Sequence, residues 1–174
     1  MKNRHMITLA AGLVVLVGCG GPEEQGAAVE VPQVFVEQAI GEPSTPIPVA
    51  RKQFQPGDKV TLTGLVMGVP SPFVEGRAVF VLGDDATLTP CDRMGEDDHC
   101  ATPWDVCCDA SELKANGIAT IQLLDDNGKP AKVGLKGVRG LSELSRVTVS
   151  GTVAKNSTPE AFVVDATAIH IGVR

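Results

Sequence analysis

Apolar and polar residues alternate with a period of two over much of the chain beyond Pro56. Such alternation is typical of strands that bury one face, and these segments are rich in the β-branched residues that favour extended backbone. The last segment loses its alternation at 165–168, which predicts a β-bulge or a change of face there. The pattern predicts strands at 60–68, 78–82, 118–124, 147–154 and 162–171.

Turn and helix signals separate these strands. Asp126-Asn127-Gly128 is a strong tight-turn sequence, because asparagine and glycine tolerate positive φ angles. We expect it to reverse the chain between 118–124 and a return segment at 131–135. Short helical turns are expected at 110–115 and 138–144. The chain therefore alternates short strands with tight connections.

Two of the predicted strands carry a glycine in the middle, Gly64 and Gly151. A missing side chain lets a strand bend or lets another backbone approach closely, and small closed barrels need such bends. The element order is strand, strand, insertion, strand, short helix, strand, strand. Over residues 56–172 this order resembles the OB-fold, a five-stranded Greek-key barrel. We therefore expect a mostly β domain built as a small OB-fold-like barrel, with a β-sandwich as the alternative.

Residues 1–18 have the organisation of an export signal. A short basic start precedes an uncharged, mostly apolar run at 7–17, which is too short for a membrane-spanning helix of roughly twenty residues. Leu16-Val17-Gly18-Cys19 resembles the lipobox of bacterial lipoproteins. The resemblance implies cleavage before Cys19, lipidation of that cysteine with palmitate-type chains, and an envelope protein anchored through its acyl chains. By the same resemblance, Gly20 after the cysteine implies the periplasmic face of the outer membrane.

Charge and composition limit the partners of the processed protein. Removal of Lys2 and Arg4 with the signal changes the formal net charge from −6 to −8, which opposes binding to nucleic acid and to anionic headgroups. Residues 19–56 are rich in glycine and proline and are expected to form a flexible tether, although 31–40 has enough apolar content for a short helix or docking strand. The barrel domain is expected at 57–174. Its expected partners are the membrane, through the lipid anchor, and an envelope protein or small ligand.

The most unusual segment is the insertion at 84–112, between the second and third predicted strands. It contains four cysteines: Cys91, Cys100, Cys107 and Cys108. Between positions 84 and 109 it also holds eight acidic residues and a single arginine. The run Thr102-Pro103-Trp104-Asp105, followed by the paired cysteines, resembles a motif of small bacterial envelope lipoproteins with no established activity. The resemblance supports the architecture and implies no mechanism.

Three uses of these cysteines compete. Two disulfides that close the long loop are favoured, because an exported protein meets an oxidising environment and the number of loop cysteines is even. The adjacent pair would then bond to the two earlier cysteines, in either of two pairings. A zinc or copper site is the alternative, with His99 and Met94 as further ligands. Thiol redox chemistry is disfavoured, because the Cys-x-x-Cys spacing is absent.

No motif in the sequence indicates catalysis. The chain has neither a phosphate-binding glycine loop nor a Gly-x-Ser-x-Gly elbow, and His170 fits a strand residue better than a catalyst. Trp104 is expected to pack the insertion onto the barrel as a plug, with an exposed interface anchor as the alternative. The sequence thus predicts a non-enzymatic, membrane-anchored binding or structural module without a cofactor. Zinc or copper binding remains the alternative function.

Overall fold

The computed structural model describes residues 33–95 and 100–172. The predicted signal at 1–18, the predicted lipidation site Cys19 and the candidate ligand His99 lie outside these residues. Within the two described ranges, no helix is long and apolar enough to cross a membrane.

Short strands dominate the described part of the chain, and each of the five predicted strands is present. In chain order the elements are β1 (Phe35–Val36), α1 (Ile47–Gln53), β2 (Lys59–Val66), β3 (Val79–Gly83), a 3₁₀ turn (Cys91–Arg93), α2 (Ser111–Gly117), β4 (Ile118–Gln122), a 3₁₀ turn (Val138–Gly140), β5 (Arg146–Val153) and β6 (Val163–Ile171). The helical turns predicted at 110–115 and 138–144 correspond to α2 and the second 3₁₀ turn.

Strands β2 to β6 close into a barrel. Their order is β4-β3-β2-β5, with β6 bonded to both β4 and β5. The β4–β6 pair is parallel, and the other pairs of the barrel are antiparallel. The barrel is filled by fully buried side chains that include Leu62, Phe80, Ile121, Val149 and Ile169. The prediction of a small OB-fold-like barrel is therefore confirmed, and its closure excludes the β-sandwich.

The irregularities predicted within the strands also occur. The register of β5 and β6 shifts between Ser150, which faces Ala168, and Gly151, which faces Ala166. One extra residue in β6 therefore forms the predicted bulge. A side chain at Gly151 would overlap the backbone of β6, and one at Gly64 would overlap the backbone carbonyl of the last residue of β3. Both glycines permit a close backbone approach.

The tight turn forms as predicted, but its return segment is shorter than expected. The amide of Gly128 donates to the Asp125 carbonyl at 2.9 Å, and Gly128 has a φ of 71°. Beyond the turn, an isolated bridge joins Leu124 and Pro130, and Ala131 donates to the Leu123 carbonyl and accepts the amide of Ala78. Residues 131–135, where the return segment was expected, therefore do not form a strand.

Residues 33–56 correct the predicted extent of the tether. β1 pairs with β6, which agrees with the docking strand predicted at 31–40. In α1, Ile47 and Ala50 are fully buried, and the Arg51 guanidinium donates to backbone carbonyls of two other segments. Two of the prolines that suggested disorder, Pro46 and Pro48, instead begin the helix, because the first N–H groups of a helix have no acceptor within it. The ordered domain thus includes the C-terminal part of the segment predicted as tether.

Candidate functional site

The insertion leaves the barrel at the end of β3, where a buried carboxylate holds its first turn. Asp84 is only 4% exposed. One of its oxygens accepts the amide of Ile47 at 3.0 Å, and the other accepts the amides of Ala86 and Thr87 at 3.1 Å each. Asp84 therefore ties the start of the insertion to α1 and to the barrel.

Trp104 attaches the middle of the insertion to the loop after β2. Its indole Nε1 donates to the Pro70 carbonyl at 2.9 Å, and its own carbonyl accepts the amide of Gly68 at 3.0 Å. The half-buried ring packs against a small apolar cluster that includes Met67 and Val106. This is the packing that the plug interpretation predicts.

Backbone hydrogen bonds bring the two cysteine-bearing arms of the insertion together. The amide of Cys91 donates to the Asp105 carbonyl at 2.8 Å. A second link runs from the amide of Thr89 to Oδ2 of Asp109 at 2.8 Å. The arm that begins with Cys91 therefore lies beside the arm that carries the adjacent cysteines.

The four thiols converge on one sulfur. The Sγ atom of Cys107 lies 3.5 Å from that of Cys91, 3.5 Å from that of Cys100 and 3.8 Å from that of Cys108. The sulfurs of Cys91, Cys100 and Cys107 all lie within 4.8 Å of one another, and no S–S bond joins them. We call these three residues the thiol cluster.

Burial and mutual contacts give the clustered thiols different acidities. Desolvation, followed by contacts with the neighbouring thiols, raises the pKa of Cys91 to about 12. The pKa of Cys100 is also raised: its hydrogen bond with Cys91 lowers the pKa, but the contact with Cys107, burial and nearby negative charge outweigh that effect. Cys107 is exposed, and hydrogen bonds from Cys91, Cys100 and Cys108 lower its pKa. Cys107 is therefore the thiol of the cluster that ionises most readily.

Met94, the remaining candidate ligand, and His170, the predicted strand residue, lie at different places in the fold. Met94 is half-buried in the turn that follows Cys91, and its amide donates to the Cys91 carbonyl at 3.2 Å. His170 lies in β6 with its Nδ1 atom 3.4 Å from the Val36 carbonyl, as expected for an ordinary strand residue. His170 does not belong to the thiol cluster.

Several acids of the insertion have structural roles that the sequence interpretation missed. Besides Asp84 and Asp109, Asp105 accepts the amide of the following residue at 2.7 Å. Asp85 forms an ion pair with Arg146 of β5. Aspartate next to a turn is a known signal for side-chain capping of backbone amides, so these residues could have been recognised as turn formers.

No protein-family model, no curated protein and no solved structure matches this chain.

The sulfur spacing limits the chemistry available to the thiol cluster. A disulfide needs an S–S distance of about 2.05 Å, so a pair at 3.5 Å must approach by about 1.5 Å. Ligands bound at about 2.3 Å to one metal ion have sulfurs roughly 3.8–4.0 Å apart. For the two pairs that include Cys107, that spacing requires movements of only about 0.3–0.5 Å from 3.5 Å.

Proposed function

We propose that this chain is a membrane-anchored envelope lipoprotein whose OB-fold-like domain carries a binding site for a thiophilic metal ion. The observation that supports metal binding is the convergence of three sulfurs within 4.8 Å of one another. Thiolate sulfur is the ligand that zinc and copper prefer among protein side chains. The barrel positions the site.

The arrangement of the sulfurs favours metal binding over a pair of disulfides. Cys107 lies equally far from Cys91 and Cys100, at 3.5 Å from each. A metal ion can bind all three sulfurs, whereas a disulfide uses Cys107 for only one partner. Metal binding also requires a smaller movement of the sulfurs than disulfide formation does, which again favours a metal site.

A disulfide-stapled binding module is the second candidate. It is supported by the close approach of Cys107 to each of the two earlier cysteines and by the oxidising environment expected after export. In this case Trp104 and the disulfides would together hold the insertion on the barrel, for recognition of an envelope protein or a small ligand.

The two candidates differ in the number of free thiols in protein isolated from its native envelope without reductant. The metal proposal predicts four reactive loop thiols after denaturation with a chelator, together with stoichiometric metal by elemental analysis. The stapled module predicts two disulfides and no metal. Denatured protein with no free loop thiols would overturn the metal proposal.

The anchoring part of the proposal is tested separately at Cys19. Replacement Cys19→Ala is expected to abolish acylation and to release the protein from membranes, with Cys108→Ser as the control that leaves acylation intact. Unchanged membrane attachment of the Cys19 variant would refute the lipoprotein assignment.

A further inference from the structure

We infer that the thiol cluster is a three-coordinate site for a soft monovalent ion of the Cu(I) class, with Cys91, Cys100 and Cys107 as ligands and Cys108 outside the coordination sphere. This inference rests on the proposed metal-binding function and names its ion and its ligands.

The number of converging sulfurs is the first argument. Among the described residues, the set whose sulfurs all lie within 4.8 Å of one another has three members. Cys108 is not in that set, although its sulfur lies 3.8 Å from that of Cys107. Structural zinc is almost always bound by four ligands in a tetrahedron. Three thiolates, in contrast, complete the coordination of Cu(I), which soft sulfur ligands select.

Access to the cluster is the second argument. Cys91 is only 5% exposed, whereas Cys107 is exposed. The sulfur of Cys91 is thus buried and that of Cys107 lies at the surface, so an ion enters from the Cys107 side. Such a half-open site suits an ion that is exchanged with a partner better than one that only holds the fold.

The charge around the cluster is the third argument. Three thiolates with one monovalent ion carry two net negative charges. The Lys114 ammonium of α2 lies 3.3 Å from the Cys107 carbonyl and places a positive charge beside the ligands. It partly offsets the charge of the complex and of the surrounding acids.

Binding involves no change of oxidation state. Each thiol that becomes a ligand gives up its proton to solvent, so one ion displaces up to three protons. The sulfurs remain thiolates and the ion remains monovalent, so no oxidant or reductant is consumed.

The test uses the mature full-length protein, reduced and kept without oxygen, with Cu(I) and Zn(II) each titrated against a chromogenic chelator. We expect one Cu(I) per chain and an affinity for Cu(I) at least about a hundredfold above that for Zn(II), because three soft thiolates complete the coordination of Cu(I) but leave zinc one protein ligand short. Replacement of Cys107 by serine or of Cys91 by alanine should weaken Cu(I) binding more than about a hundredfold. Loss of a residue that only hydrogen-bonds to a metal ligand typically weakens binding by about 10- to 100-fold, so a larger loss indicates a direct ligand. Far-UV circular dichroism checks that each variant folds.

Cys108→Ser is the matched control, because it removes the thiol next to a proposed ligand. It should retain Cu(I) affinity within about threefold, a difference under about 1 kcal/mol. If this variant loses binding as strongly as Cys107→Ser, and Zn(II) binds more tightly than Cu(I), the inference is wrong and a four-thiolate zinc site takes its place. If the reduced, folded protein binds neither ion, the proposed metal-binding function itself fails.

Discussion

Replacement of Trp104 by alanine should destabilise the domain by about 2–4 kcal/mol. Full truncation of a buried aromatic side chain costs about 3–5 kcal/mol. The ring of Trp104 is only half-buried, so the loss of its packing against the cluster with Met67 and Val106 accounts for part of that cost. The indole hydrogen bond to Pro70, 2.9 Å long, adds about 1 kcal/mol. Trp104→Phe keeps most of the apolar contact and loses the hydrogen bond, so it should cost about 1 kcal/mol.

Urea unfolding followed by far-UV circular dichroism measures these losses, because the signal does not depend on the indole that is removed. With an m-value of about 2 kcal/mol/M, the midpoint of the alanine variant should fall by about 1–2 M urea. Leu113→Ala is the control: this side chain is 43% exposed on α2, near the insertion, and its removal should change stability by less than about 0.5 kcal/mol. If Trp104→Ala has as little effect as the control, Trp104 is not a plug. Loss of a binding partner at unchanged stability would instead identify it as an interface anchor.

Three further predictions follow from the barrel and the insertion. Gly64→Ala should lower the free energy of unfolding by about 1–3 kcal/mol, because the added methyl group overlaps a backbone carbonyl of β3. Gly41 has open space around it, so Gly41→Ala should be nearly neutral in the same urea assay. Equal effects of the two substitutions would contradict the close approach at Gly64. In reduced, metal-free protein at neutral pH, iodoacetamide should alkylate Cys107 first and Cys91 last, because the pKa of Cys107 is lowered and that of Cys91 is raised to about 12. Peptide mass spectrometry gives the order of alkylation. Equal rates at the two sites would contradict this difference in acidity. Asp84→Ala should destabilise the domain by about 2–4 kcal/mol, because the amides of Ile47 and Ala86 lose their acceptor at a position only 4% exposed. The amide of Thr87 keeps its bond to the backbone carbonyl of residue 84. A thermal midpoint equal to that of the parent protein would show that the other two amides find new acceptors.

The local pattern of the sequence was sufficient to predict the five strands, whereas the barrel was expected from the resemblance of their order to the OB-fold, with a β-sandwich as the alternative. Alternating apolar residues identified the five strands, because a strand that buries one face requires a period of two. Gly64 and Gly151 indicated close approaches of the backbone, and the lost alternation at 165–168 indicated the bulge. These features depend on neighbouring residues, so the sequence displays them directly.

Order in residues 33–56 could not be predicted in the same way. The burial of Ile47 and Ala50 depends on surfaces that come from distant parts of the chain. The Arg51 guanidinium likewise donates to carbonyls 67 and 108 residues away. Composition alone suggested a tether, because it shows no long-range partner.

For the candidate site, the sequence determined which groups are present, and the tertiary structure decided how they meet. Four cysteines within eighteen residues identified the insertion as the place for chemistry. Their spacing left both disulfide pairings and a metal site open. Only the folded arms, joined by the Cys91–Asp105 backbone bond and attached to the barrel by Trp104, place three sulfurs within 4.8 Å of one another. The physical reason is that sulfur–sulfur distances depend on hydrogen bonds between segments that are separated along the chain.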